Sequence, residues 1–296
     1  MCAAAPARSP STSPPQASLK RSAAADVQPM SVQVTPASSR LRPPLKWAGG
    51  KRWQVSYVQP LWQRSRSRRF VEPFCGGLAM VLGLSPASAL LNDINPHLIN
   101  FYGWLRRGLT ISFPMANVSS RYYALRRRFN ALLDAGQSDT DESAGIFYYL
   151  NRTGYNGLCR FNSRGQFNVP FGRYKTIAYR REFSEYIGLL APFQFTSVDF
   201  QALRLEPDDF VYADPPYDVE FRQYASGGFE WSEQVRTAEW LAHHDGPVAL
   251  SNQATDRIVA LYKKLGYDLQ FLQGPRMISC TGERTPAREV LATRNI

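Results

Sequence analysis

Four short apolar runs, each ending in a turn of polar residues or glycine, constrain this chain more than any other feature. Arg69-Phe70-Val71 runs into Glu72-Pro73-Phe74-Cys75-Gly76-Gly77, and Ala89-Leu90-Leu91 into Asn92-Asp93-Ile94-Asn95. Phe210-Val211-Tyr212-Ala213 runs into Asp214-Pro215-Pro216-Tyr217, and Val248-Ala249-Leu250 into Ser251-Asn252. Helical patterns lie between them. Strands that end in polar loops and alternate with helices predict a parallel α/β sheet whose site lies beyond the strands' carboxyl ends. About 115 residues separate the second run from the third, far too many for one crossover, so an inserted second domain is expected there.

Charge gathers in that gap. Of 35 Lys+Arg against 24 Asp+Glu in 296 residues, the stretch 101–182 holds 13 basic and 5 acidic residues. Aromatics and asparagines are interleaved with them, among them Tyr148, Tyr149, Tyr155, Asn156, Phe161, Asn168 and Tyr174. The pattern fits a solvated basic face over an aromatic core. The alternative is a nucleic-acid surface, where Lys/Arg neutralise phosphates and aromatic faces stack on bases.

Other classes fall away. Residues 1–42 are rich in Ala, Ser, Pro and Gln without apolar periodicity, so they are expected to be disordered and to carry no secretory signal. No apolar run approaches the roughly 20 residues that span a bilayer, so no membrane association is expected. Cysteines at 2, 75, 159 and 280 form no closely spaced pair and the three histidines no cluster, so no metal site is expected.

Two turns carry chemistry. Glycine at 76 and 77 lets backbone approach a ligand closely, and Asp93, past the next strand, can accept from both hydroxyls of a ribose. An ordinary tight turn would look the same. Asp214-Pro215-Pro216-Tyr217 is more specific. Two prolines stiffen the turn and remove two N–H donors, leaving carbonyls free to accept. A carboxylate, a proline carbonyl and an aromatic face suit a planar ring bearing an amino group.

Together these two turns resemble the signature pair of amino-directed DNA methyltransferases that use S-adenosylmethionine. Leu45-Lys46-Trp47-Ala48-Gly49-Gly50-Lys51 narrows the likeness to the Dam-type (D12 class) adenine-N6 enzymes. So do Tyr149–Arg160 and Asn168-Val169-Pro170-Phe171-Gly172-Arg173-Tyr174. The resemblance covers about residues 43–295. It implies a Rossmann-like methyltransferase sheet with helices on both faces and an inserted helical and β-hairpin recognition domain. The expected division is a catalytic domain of 43–105 and 195–296 and a recognition insertion of 106–194.

The roles that the resemblance implies attach to matched positions. Trp47, Lys51, Glu72, Phe74, Gly76, Asp93 and Asp214 would bind S-adenosylmethionine. Asp214, Pro215 and Tyr217 would act on the target base, flipped out of double-stranded DNA. Lys46, Tyr155, Asn156, Leu158, Arg160 and Pro170 would read the sequence, with GATC as the expected site and Arg160 on a guanine edge. Arg126 is expected to hold phosphate, acting on all sequences alike. Many relatives carry a further glycine where this chain has Leu78, which matters if the backbone there needs a positive φ. A cytoplasmic monomer is expected. The alternatives are a cytosine-N4 enzyme, which often has Ser in place of Asp214, and an inactive DNA-binding relative. A cytosine-C5 enzyme needs a cysteine after proline, and none is present.

Overall fold

The computed structural model describes residues 41–218, 229–274 and 287–296. The expectation for the tail thus falls almost wholly outside the described residues. Of its final two, Leu41 packs on the core and the Arg42 carbonyl accepts from the Tyr186 hydroxyl at 2.6 Å.

The strands are β1 Phe70–Glu72, β2 Ala89–Asn92, β3 Phe193–Thr196, β4 Phe210–Ala213, β5 Val248–Gln253, β6 Asp268–Gly274 and β7 Ala287–Arg294. They form one sheet in the order β3-β2-β1-β4-β5-β7-β6. The first five run parallel. The four runs read from the sequence are β1, β2, β4 and β5 of this parallel set, and β7 lies antiparallel to both β5 and β6.

The pleat sorts side chains to two faces. Phe70, Ala89, Leu91, Phe210 and Tyr212 enter one apolar cluster, while Val71, Leu90, Val211, Ala213, Val248 and Leu250 enter another. Helices α1 Val55–Ser65, α2 Ala79–Leu84 and α3 Pro96–Arg106 contribute to the first cluster. Helices α7 Trp231–Ala242 and α8 Asp256–Lys264 cover the second. The chain thus builds a Rossmann-like α/β sheet with helices on both faces.

Between β2 and β3 the chain passes through α3 and then α4 Ser119–Asp134, α5 Asp141–Thr153 and α6 Ser184–Leu190. Polar residues start these helices where capping demands it. Asn95 accepts from the backbone N–H of His97 at 3.0 Å, with Pro96 in the first helical position. Thr140 does the same for Ser143 at 3.2 Å. α5 packs against both α3 and α4, so nearly its whole length from Ser143 to Asn151 is buried. Tyr122, Phe129 and Ile146 through Leu150 share the cluster that holds Phe70, so the insertion grows from the sheet's own core.

The strand order reverses between β1 and β4. Such a switch point opens a crevice at the strands' carboxyl ends. Here those ends deliver Glu72 and Asp214.

Candidate active site

The crevice is a cavity of ≈ 650 Å³ that brings together Trp47, Glu72, Phe74, Gly76, Asp93, Leu158, Asp214, Pro215 and Tyr217. Six further residues predicted from the sequence lie outside its lining: Lys46, Lys51, Tyr155, Asn156, Arg160 and Pro170.

The glycine turn is built around an indole. Gly76 has φ 43°, and a Cβ there would stand 2.7 Å from Trp47 Nε1. The Gly76 N–H donates to Asp93 Oδ2 at 3.1 Å and the Asn95 N–H to Asp93 Oδ1 at 3.0 Å. Burial raises the Asp93 carboxyl above its ordinary value, and these two backbone donors oppose the rise. A carboxylate has about four lone-pair sites, so two remain for a ligand's hydroxyls. Asn92 ties this turn to the next strand by donating to the carbonyls of Pro73 and Val198, each at 3.0 Å.

Leu78 resolves the point left open by its missing glycine. It sits at φ 61°, ψ 26°, fully buried, immediately before α2. The left-handed conformation is adopted without glycine.

The second turn brings Asp214 and Pro215 to the cavity wall. Asp214 Oδ1 has no hydrogen-bond partner and lies 3.6 Å from Lys51 Nζ. Burial pushes the Asp214 carboxyl up to about 7; the Lys51 ammonium pulls it down and the Glu289 carboxylate pushes it up. Glu72 is also held well above the usual carboxylate range by burial, with Oε2 unpartnered. Among the described residues none donates to the Pro215 carbonyl, whereas Gln234 Nε2 occupies that of Pro216 at 2.7 Å. The Tyr217 hydroxyl is fixed by Glu289 Oε2 at 2.7 Å, and Lys51 Nζ lies 4.1 Å from the centre of the Tyr217 ring. Lys51 therefore stands behind Asp214 and Tyr217, with no surface on the cavity.

The segment from Tyr155 to Pro170 forms a narrow hairpin. The Tyr155 N–H donates to the Pro170 carbonyl at 2.9 Å and the Asn168 N–H to the Arg160 carbonyl at 3.1 Å; Phe161 bridges Phe167. Tyr155, Asn156, Arg160 and Pro170 are exposed on it, while Leu158 turns into the cavity. Arg160 Nε bonds Asn168 Oδ1 at 2.8 Å, which aims the guanidinium and leaves its Nη1 donors unused. Lys46 lies under the hairpin, its ammonium 3.1 Å from the Arg152 carbonyl and 3.7 Å from the Tyr174 ring centre. Burial first, and Arg152 second, lower its pKa. Arg126 differs from expectation: it is half-buried and its Nη1 donates to the Val169 carbonyl at 2.9 Å, so it braces the hairpin.

Sequence reasoning missed one wall of the cavity. Val198, Asp199 and Phe200 follow β3, and Arg236 of α7 meets them there. Arg236 grips both Asp199 oxygens, at 3.0 and 2.7 Å, and lies 4.2 Å from the Phe200 ring centre. The signal was present as a third strand ending in an acid, Phe193-Gln194-Phe195 running to Asp199. Among the described residues no group of three or more His, Cys, Asp or Glu is placed to hold a metal, and no helix is long and apolar enough to cross a membrane.

Comparison with known proteins gives concordant matches. A family model described as D12 class N6 adenine-specific DNA methyltransferase matches residues 47–273. The retron Ec67 DNA adenine methylase of Escherichia coli is 34% identical over 265 residues, 84% of this chain and 90% of its own length. The DNA adenine methylase of Vibrio cholerae serotype O1 is 35% identical over 270 residues, 84% of this chain and 94% of its own. The Type II methyltransferase M1.LlaDCHI of Lactococcus lactis is 35% identical over 244 residues, 75% and 85% respectively.

Proposed function

The chain belongs to the D12 class N6 adenine-specific DNA methyltransferase family, and from that premise we propose that it transfers the methyl group of S-adenosylmethionine to the N6 amino group of adenine within GATC in duplex DNA. The observation that carries this reading is a carboxylate, Asp214, beside a proline carbonyl that accepts from none of the described residues, in the same cavity as the glycine turn.

The residues present fit the methyl donor. Trp47 and the Gly76 turn offer a close backbone approach, Asp93 keeps two acceptor sites for the ribose, and Glu72 and Phe74 line the same cavity. Bound there, S-adenosylmethionine supplies an electrophilic methyl on a sulfonium that departs as a neutral thioether, a reaction that requires neither a metal nor a covalent enzyme intermediate.

Adenine N6 is a poor nucleophile because its lone pair is delocalised into the ring. Asp214 and the Pro215 carbonyl accept both N–H hydrogens, which draws the nitrogen toward sp³ and localises the pair. As the nitrogen gains its methyl it sheds one proton. A carboxylate poised near 7 is suited to take it. Positioning and preorganised electrostatics supply most of the acceleration. Unstacking the base costs a few kcal/mol, and stacking on the Tyr217 face opposite Lys51 offsets part of that.

The segment 106–194 is the recognition part on this reading, and 43–105 with 195–296 the catalytic part. Lys46, Tyr155, Asn156, Leu158, Arg160 and Pro170 carry the residue types that the resemblance associates with GATC. Arg160 can offer two donors to a guanine edge, and the apolar Leu158 and Pro170 suit a thymine methyl. The enzyme would act in the cytoplasm, as a monomer on its DNA.

Incubation with duplex DNA and labelled S-adenosylmethionine, followed by nucleoside analysis and single-molecule mapping, tests the whole reading. N6-methyladenine confined to GATC is expected. Modified adenines outside GATC would overturn the site, and N4-methylcytosine or no product would overturn the reaction.

A further inference from the structure

Behind the Asp214 turn lies a buried polar cluster that the reaction as described leaves idle. Glu289 sits on β7 between Gln253 of β5 and Leu272 of β6, with 6% of its surface exposed. A carboxylate so deep requires partners to compensate its lost hydration. Its Oε2 accepts from the Tyr217 hydroxyl at 2.7 Å and from Gln54 Nε2 at 2.9 Å, and lies 3.7 Å from Lys51 Nζ. Gln54 is itself fixed, by Ser251 Oγ at 2.9 Å and the Tyr212 hydroxyl at 2.8 Å. Gly274 provides the room, since a Cβ there would stand 2.5 Å from Glu289 Oε1.

Lys51 is shared between two carboxylates. At 3.6 Å from Asp214 Oδ1 and 3.7 Å from Glu289 Oε2 it is outside hydrogen-bonding distance of both. Without the charge on Glu289, the ammonium would be drawn onto the buried Asp214 Oδ1 and would pull the carboxylate inward, away from the cavity that it lines. We propose, resting on the methyltransferase reading, that Glu289 is a positioning residue of the transfer: by holding Lys51 and the Tyr217 hydroxyl it keeps the Asp214 carboxylate turned to the target amine.

Among the described residues, the titratable groups whose charges act on Asp214 or feel its charge are Lys51 ahead of α1, Glu72 of β1, Tyr212 of β4, Tyr217 of its own turn, Tyr262 of α8 and Glu289 of β7. Lys51 and Glu289 act on it in opposite directions. Their substitutions must therefore move it in opposite directions too.

Glu289→Gln keeps an acceptor for Tyr217 and Gln54 but deletes the charge. In a carbon-13 carboxyl NMR titration of the protein alone, the Asp214 midpoint should fall by roughly half a pH unit or more in this variant, and rise in Lys51→Met. Transfer by Glu289→Gln at pH 8 should drop at least about tenfold with duplex affinity unchanged. If Glu289→Gln does not fold, Gly274→Ala displaces the carboxylate without removing it and should show the same loss of transfer. A purely structural Glu289 would lower the melting temperature yet leave the Asp214 midpoint in place. An unmoved midpoint, or full transfer by Glu289→Gln, overturns the proposal. A wild-type protein that methylates no adenine would instead sink the functional reading, and the titration would still report whether Glu289 governs Asp214.

Discussion

At the scale of single residues, two opposed effects meet at Leu78. A non-glycine residue in the left-handed region costs about 1–2 kcal/mol, while truncating a buried leucine costs about 2–5 kcal/mol. Burial outweighs strain. Leu78→Gly should relax the backbone and still lower stability by roughly 1–3 kcal/mol, read as a lower urea midpoint; a higher midpoint would mean that strain dominates. Asp93 makes a different case, because its acceptors are divided between the protein's own backbone and the proposed ribose. Asp93→Ala should weaken S-adenosylmethionine binding about 10- to 150-fold, the worth of a charge-assisted hydrogen bond, with little change in duplex affinity. An unchanged cofactor Kd in calorimetry would refute that role.

Among the elements, α4 does for the hairpin what a neighbouring strand does in a sheet. Tyr122 and Arg126 both donate to the Val169 carbonyl at 2.9 Å, and Asn130 accepts from the Phe167 N–H at 2.8 Å. These residues recur every four positions and so share one face of the helix. Arg160→Ala should relax discrimination at the outer guanine of the opposite strand by ~1–3 kcal/mol. Asn130→Ala, remote from the bases, should erode discrimination at several positions together, because it frees the hairpin backbone. Comparing kcat/KM on GATC and singly substituted duplexes separates the two; equal losses on every duplex would assign Asn130 a role in stability only. The same contrast explains what the sequence could disclose. Asp214–Tyr217 and Glu72–Gly77 were legible because each is a contiguous turn directly after an apolar run. Asp199 was not singled out, since β3 is four residues long and carries Gln194 and Thr196 among its phenylalanines. Glu289 gave no signal at all. A charged residue within a strand reads as solvent-facing until another strand, here β6 with Gly274, closes over it.

For the molecule as a whole, the formal charge of +11 is unevenly spread, and the basic stretch 101–182 carries the exposed Arg127 and Arg128 on α4. Arg128 is paired with Glu142, so Arg127 is the better candidate for a phosphate. Duplex affinity should fall steeply between about 50 and 200 mM salt, by a slope of about −0.9 for each phosphate neutralised. Arg127→Ala should reduce that slope by about one for every sequence alike. Fluorescence anisotropy across that range checks both, and a salt-independent Kd would show that the basic stretch is a solvated face. The sheet itself carries a further consequence. β7 is the last of the seven strands in chain order, yet it pairs on both sides, between β5 and β6. β7 alone pairs with the facing edges of β5 and β6, and it alone brings Lys51 the second of its two carboxylates. One strand thus joins β6 to the sheet and at the same time brings Glu289 behind Asp214, so the edge of the sheet and the support of that turn stand or fall together.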